Sequence, residues 1–223
     1  MSMELIQTSD LSHTLKVPGK EEHYHSVHGA LAESMHVFIG AGWEHRLQYT
    51  ATPLRILEVG MGTGLNVLLT VQAATDAQTT VHYTALEPFP LPLTITEQLN
   101  YPALLSWAPA QEVFRSIHAA EAQKDIAITP NFTLHKSLTP LQDFPATSGF
   151  DLIYFDAFAP RVQPELWSED VFKSLWHMAN HQCVLVTYCS KGDVRRALLA
   201  AGWQVEKIPG PPRKREMLRA TKV

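Results

Sequence analysis

The chain has 223 residues, of which 45% are apolar and 18% charged; that suits one large domain, or one with a small extension, and excludes a disordered chain. Its net charge of −4 argues against a protein that holds nucleic acid by bulk charge alone. No run of about 18 apolar residues predicts a membrane span, Met1-Ser2-Met3-Glu4 lacks a secretory pattern, and two cysteines in or beside one apolar run, Cys183 and Cys189, suggest a reducing compartment, so a cytoplasmic protein is expected.

Residues 1–20 read as a short hairpin or extended arm, with alternation over Ser12–Val17 and a turn at Pro18-Gly19. Val27, Leu31, Met35 and Phe38 recur at helical spacing and predict a helix within 27–48. Leu54–Val59 is a predicted strand, 65–75 a helix and 81–86 a second strand. Residues 93–122 read as mostly helical, interrupted at Pro102 and Pro109. Short strands are predicted at 132–135 and 150–155, a helix at 169–178, a buried strand at 183–188, a helix at 194–201 capped by Gly202, and two last strands at 204–208 and 216–221. This alternation implies an α/β fold, a mainly parallel sheet with helices on both faces. The expected division is a hairpin and helical extension over 1–50 and the α/β domain over 51–223.

The first strand runs into Glu58-Val59-Gly60-Met61-Gly62-Thr63-Gly64-Leu65-Asn66. A strand that stops at a glycine turn before a helix makes a nucleotide-binding edge, because glycines let a ligand approach the backbone and the helix start offers free N–H groups. The spacing G-x-G-x-G followed by Leu65 departs from the dinucleotide fingerprint, which needs a small residue there, so a nicotinamide cofactor is disfavoured. Glu58 before the glycines suits a cofactor carrying an ammonium group, such as S-adenosylmethionine (SAM). Glu87, at the end of the second strand, stands where an acid accepts ribose hydroxyls.

Ligands gather at the carboxyl ends of such strands, and Asp156 closes the 150–155 strand. There it is placed to orient an amine and take up its proton, although a turn cap is the plainer alternative. Phe158 and Pro160 could shape an apolar wall; Trp167 is either a stacking surface or core packing. His23, His25 and His28 form His-x-His-x-x-His, but with no cysteine nearby no metal is expected. The charge is uneven: residues 191–223 carry nine bases against three acids, which fits either a phosphate-binding edge or a solvated basic terminus.

Taken together, several segments resemble the methyltransferase domain of the MnmC family, enzymes of tRNA 5-methylaminomethyl-2-thiouridine biosynthesis. They are Glu22-His23-Tyr24-His25-Ser26 with Gly29, Glu33-Ser34 and Val37-Phe38; the Glu58–Asn66 turn; Asp156-Ala157-Phe158-Ala159-Pro160 with Pro164-Glu165-Leu166-Trp167; Val194-Arg195-Arg196-Ala197-Leu198; and Arg213-Lys214-Arg215-Glu216-Met217-Leu218. The resemblance implies a Rossmann-like SAM-dependent methyltransferase fold, with a seven-stranded, mostly parallel sheet and an antiparallel last strand. It implies methylation of 5-aminomethyl(-2-thio)uridine at the tRNA wobble position. By the same resemblance Tyr24, Ser26, Glu33, Glu58, Gly60, Gly62, Gly64, Asn66 and Glu87 hold SAM and Asp156 is catalytic. Phe158, Trp167, Arg195, Arg196, Arg213, Lys214 and Arg215 meet the substrate RNA.

Two positions depart from the family pattern. Ala157 stands for its glycine, and Lys136-Ser137 stands where many members have Gly-Asp, removing an acid expected near adenine. Many members also continue into an FAD-dependent oxidase domain. This chain ends at Val223, so no FAD is expected, and a separate enzyme must supply the aminomethyl uridine. Two alternatives stand beside this reading. One is a SAM-dependent methyl- or aminopropyl-transferase acting on a small amine, as in spermidine-synthase-like enzymes. The other is a non-catalytic SAM- or RNA-binding module.

Overall fold

The computed structural model describes residues 3–19, 21–49, 53–146 and 149–223. The expected boundary between residues 50 and 51 lies outside them. Strands β1 (Glu4–Gln7) and β2 (His13–Lys16) pair antiparallel as the expected hairpin. Residues 30–47 form one helical rod, α1, which is α-helical over Ala30–Ser34 and π-helical over Met35–Glu44.

Of the residues at helical spacing, Phe38 is buried and Leu31 packs against the core. Val27 and Met35 are exposed, whereas Glu33, Ser34, Val37, Phe38, Ile39, Gly42, Trp43 and Arg46 are buried. Val27 precedes the rod and Met35 opens the π segment, beyond which each turn takes more residues than in an α-helix, so the later buried positions follow a longer period. Gly42 lets the rod approach the sheet: a Cβ there would stand 3.0 Å from Val186 Cγ2 and 3.1 Å from Tyr154 Cε1.

Beyond the rod come β3 (Leu54–Val59), α2 (Leu65–Asp76), β4 (Val81–Leu86), α3 (Ala110–Ala119), β5 (Asp125–Thr129), β6 (Phe132–Ser137), β7 (Phe150–Phe155), α4 (Glu169–Met178), β8 (Ala179–Thr187), α5 (Gly192–Ala200), β9 (Gln204–Pro209) and β10 (Glu216–Thr221). The sheet runs β5-β6-β4-β3-β7-β8-β10-β9. Strands β6, β4, β3, β7 and β8 are parallel, and β10 lies antiparallel between β8 and β9. The fold is therefore the Rossmann-like, mostly parallel α/β architecture expected. It has eight strands where seven were expected, because β5 adds an antiparallel edge through the Pro130-Asn131 turn. The short alternation of Asp125-Ile126-Ala127-Ile128-Thr129 lies between the helical stretch that ends at residue 122 and the strand expected from residue 132, and carried no expectation of its own. The stretch before it is mostly helical as expected, broken into the single turns Leu93–Thr96 and Tyr101–Leu104 and the longer α3.

Two apolar clusters occupy the two faces of the sheet. One joins α1, α2 and α3 to the sheet face that carries Ile56, Tyr83, Leu134, Tyr154 and Val186; the other joins α4 and α5 to the opposite face, with Leu57, Leu86, Ile153, Leu185 and Leu218. Leu15, Ala30, Phe38 and Trp43 belong to the first, so the N-terminal residues share the main core. The helices bury their faces at the expected spacing, Val113, Phe114 and Ile117 in α3 and Val171, Phe172, Leu175 and Met178 in α4. Arg46 ties the rod to the strand edge. Its Nε donates to the Asp151 carbonyl at 3.0 Å, and the Asp151 carboxylate accepts the Arg55 N–H at 2.9 Å and the Asn180 amide at 2.8 Å.

Gly42→Leu is expected to lower unfolding stability by about 1–3 kcal/mol, because the larger side chain must displace Val186 and Tyr154. Urea denaturation of the two proteins checks this; an unchanged midpoint would show that the rod yields at no cost.

Candidate functional site

The carboxyl ends of β3, β4 and β7 open onto a cavity of about 540 Å³, a size typical of small-molecule sites. Its floor is the glycine turn. Gly60, Gly62 and Gly64 all have positive φ (89°, 50° and 74°), a backbone state that favours glycine. Space demands glycine as well. A Cβ on Gly60 would lie 2.7 Å from the Asp156 carbonyl oxygen, and one on Gly62 would lie 3.0 Å from the Tyr24 ring. The turn hangs from the end of β4, whose Leu86 carbonyl accepts the N–H of Gly60 at 3.1 Å and of Met61 at 3.3 Å.

Two histidines brace the turn. His25 Nε2 bonds the Thr63 hydroxyl at 2.7 Å, and His118 Nε2 meets the Thr63 carbonyl at 3.1 Å. Burial pushes both imidazoles down to about 4, so both are neutral at pH 7. His25 thus has a bracing role that its place in His-x-His-x-x-His did not disclose. Among the described residues no group of three His, Cys, Asp or Glu side chains is arranged for a metal ion.

Tyr24, Ser26, Glu33, Gly60, Gly62, Glu87, Asp156, Phe158 and Lys214 all line the cavity. Glu87 is held by two backbone donors, Gly62 N–H at 2.8 Å and Phe89 N–H at 3.0 Å, one on each carboxylate oxygen. Tyr24 packs edge-on to Phe158 with centroids 5.2 Å apart, and burial with the nearby Glu87 charge pushes its hydroxyl up to about 12. Glu33 accepts the Ser26 N–H at 3.0 Å and the Lys214 ammonium at 2.6 Å.

Other expected residues sit elsewhere. Glu58, Asn66 and Gly64 lie behind the cavity wall; Glu58 is wholly buried. They reach the cavity through one side chain. Asn66 donates both amide hydrogens, one to Glu58 Oε1 at 3.0 Å and one to Asp156 Oδ2 at 2.9 Å. Trp167 is also buried. Its indole N–H donates to the Phe158 carbonyl at 2.8 Å, so it supports the loop that carries Phe158 and offers no stacking face. Arg195 and Arg196 are on α5 outside the cavity, Arg196 paired with Asp193. Arg213 and Arg215 are exposed in the β9–β10 turn. Ser137 is buried and Lys136 bonds the His118 carbonyl at 2.8 Å; the cavity wall that follows them is Pro140, Leu141 and Gln142.

Sequence reasoning missed Phe89, Gln142 and Tyr188 as lining residues, and found Glu22 and Glu165 only as parts of motifs. Phe89 had a local signal: it is 84% exposed yet fixed between Pro88 and Pro90 directly after Glu87. Tyr188 had none, since its place in the site is set by its bond to the Ala157 carbonyl at 2.9 Å; Glu22 lines the cavity while paired with Arg161 at 2.8 Å.

The site is rich in carboxyl groups, and burial governs their charge. Desolvation pushes Glu58 up to about 8, partly offset by the Asn66 bond. Asp156 is pushed up to about 7 by desolvation and the neighbouring Glu33, against the Asn66 bond and Lys214. The arrangement fits SAM in three respects. The turn has room for a ligand only because it lacks side chains. The start of α2 has no side-chain cap, leaving its first N–H groups free. Glu87 presents a fixed carboxylate beside the turn.

Both folded-state values lie above the ordinary ones of 4.5 for Glu58 and 3.8 for Asp156, so the folded protein binds more protons than the unfolded chain in between. Stability should therefore fall as pH rises from about 5 to about 8. Glu58→Gln, which keeps an acceptor for Asn66 and carries no charge, is expected to flatten that fall and to be the more stable protein at the alkaline end. Denaturation midpoints of both proteins across this window are the check; a parent that grows more stable with rising pH contradicts it.

Residues 105–223 match a family model described as S-adenosyl-L-methionine-dependent methyltransferase, a span that holds Asp156 and the basic C-terminal segment. The tRNA 5-methylaminomethyl-2-thiouridine biosynthesis bifunctional protein MnmC of Cupriavidus metallidurans is 33% identical, over 90% of this chain and 31% of its own length. The protein of the same name from Magnetococcus marinus is 33% identical over 88% and 30%. The chain thus spans about a third of the relatives it matches. Among solved structures, MNMC2 from Aquifex aeolicus superposes with a TM-score of 0.80 at 22% identity, covering 98% of this chain and 69% of that one.

Proposed function

The chain belongs to the S-adenosyl-L-methionine-dependent methyltransferase family whose model it matches, and from that premise we propose that it methylates the aminomethyl nitrogen of 5-aminomethyl(-2-thio)uridine at the wobble position of tRNA. The observation that carries the reading is Asp156, a half-buried carboxyl at the end of β7 on the cavity wall, against the glycine turn. The names of the bifunctional relatives supply the tRNA chemistry. A separate enzyme then provides the aminomethyl group, FAD has no part in the reaction, and the cytoplasm is the compartment implied. Among the described residues no helix is long and apolar enough to cross a membrane.

When bound, SAM supplies a methyl group on a sulfonium, already a strong electrophile. Gly60, Gly62, Glu87, Tyr24 and Ser26 would hold it, with Glu58 and Asn66 acting from behind through Asp156. The protein's own task is positioning, and orientation alone accounts for about 7–11 kcal/mol of such a barrier. Asp156 holds the amine by its N–H groups and accepts a proton, so that nitrogen presents its lone pair. Phe158 and Tyr24, packed edge to face, wall the reaction from water. Arg213 and Arg215, exposed beside the cavity, meet RNA phosphates.

Transfer of labelled methyl from SAM to tRNA from cells lacking this protein, followed by nucleoside analysis, tests the reading. Label in 5-methylaminomethyluridine is expected, and Asp156→Ala should lower the rate about 10²–10⁴-fold while SAM still binds. Label only in small amines would replace the tRNA reading with a small-molecule one. Asp156→Ala at full rate would remove its role.

Arg213→Ala with Arg215→Ala should weaken tRNA binding and lower the slope of log affinity against log salt by about one per arginine. An unchanged slope in a salt titration would remove both residues from the RNA interface.

A further inference from the structure

Lys214 stands apart from the arginines on either side. Its ammonium is 2.6 Å from Glu33 and 4.5 Å from the centre of the Tyr188 ring, so it is held by a carboxylate and an aromatic face. The backbone is built to aim it there. Pro211-Pro212-Arg213-Lys214 closes with the Lys214 N–H on the Pro211 carbonyl at 2.9 Å, and Arg213 has a φ of 67°. Proline second and a positive φ third is the pattern of a type II turn, with an arginine where glycine is usual. A Cβ on Gly210 would stand 2.6 Å from the Lys214 carbonyl oxygen. A lysine meant for RNA phosphates needs none of this.

Glu33 explains the need. Its side chain is 10% exposed, lines the same cavity as Asp156 and carries a charge that opposes ionisation of Asp156. Uncompensated, it would compete for an incoming ammonium and keep Asp156 protonated.

Resting on the amine-methylation reading above, we propose that Lys214 is a positioning residue of the reaction pocket: clamped between Glu33 and Tyr188, it neutralises Glu33 so that an arriving amine meets Asp156 rather than Glu33. The step it prepares, by holding Asp156 ionised, is transfer of a proton from the substrate ammonium to Asp156. An N–H bond breaks, its electron pair stays on nitrogen, and an O–H bond forms on Asp156. The cation of Lys214 disfavours a second cation nearby and keeps Asp156 ionised before the amine arrives, so that a carboxylate is present to receive the proton; the same field lowers the basicity of Asp156. The groups facing Asp156 are Glu33 from α1, Lys214 from the β9–β10 turn, Asn66 from α2 with Glu58 behind it, and Tyr188 after β8.

Two measurements test this. In the first, Asp156 is titrated by NMR in protein labelled with 13C-carboxyl aspartate, without substrate, its resonance assigned by its loss in Asp156→Asn. Lys214→Met is expected to raise the midpoint by about one pH unit or more, and Glu33→Gln to lower it. The double variant should return to the wild-type value or below. In the second, the acidic limb of kcat/KM should move upward with pH in Lys214→Met, while tRNA affinity stays within about a factor of two. Thermal melts exclude misfolding, and Lys214→Gln serves if the methionine variant is unstable. An unmoved midpoint overturns the proposal, as does an unmoved limb with tRNA binding about tenfold weaker, the mark of a phosphate contact. If wild-type protein methylates no tRNA, the tRNA reading fails and the NMR titration still decides the role of Lys214.

Discussion

The pocket depends on how closely two neighbouring strands end beside each other. β3 and β7 are adjacent and parallel, with Val59 opposite Phe155, and the Asp156 N–H bonds the Val59 carbonyl at 3.0 Å. The next residue on one side is Gly60, and any side chain there would strike the Asp156 backbone. That contact brings the cofactor turn and the reactive carboxyl to a single edge. The Leu86 carbonyl fixes the height of the turn, and His25 and His118 fix its sides. A rigid scaffold of this kind suits a reaction that is mostly alignment.

Electrostatics then separates acids that look alike in the sequence. Glu58 is sealed in the core and favours its neutral form; Glu87 is held by two backbone N–H groups; Glu33 is tied to a lysine; Asp156 lies between a buried amide donor and the cavity. The four carboxyls have four different environments. Asn66 couples two of them by donating to both, so a change in the charge of Glu58 is felt at Asp156 without any contact between Glu58 and a ligand.

Much of the site was legible because its signals are local. Strand, glycine turn and helix follow one another within Leu54–Asp76, and Glu87 and Asp156 each close a strand, so their positions at the carboxyl edge follow from parallel topology. Trp167 was ambiguous for a physical reason: an aromatic after a turn either packs or stacks, and only its bond to the Phe158 carbonyl decides for packing. Beyond Met35 the buried positions of α1 leave the 3.6-residue period because the segment is π-helical, and β5 was missed because it is a five-residue edge strand with no fully buried position.

By itself the sequence determined the alternation of strands and helices, the glycine-bearing edge, and the acids that close β4 and β7, since each is written in a short run of residues. Tertiary structure alone decided which charges meet. Lys214 and Glu33 are 181 residues apart in sequence yet 2.6 Å apart in space, and Asp156 and Asn66 are 90 apart yet hydrogen-bonded. No local pattern encodes such pairs, because they arise only when the rod, the glycine helix, β7 and the last hairpin pack on one sheet. Burial then sets the strength and sign of what those charges do.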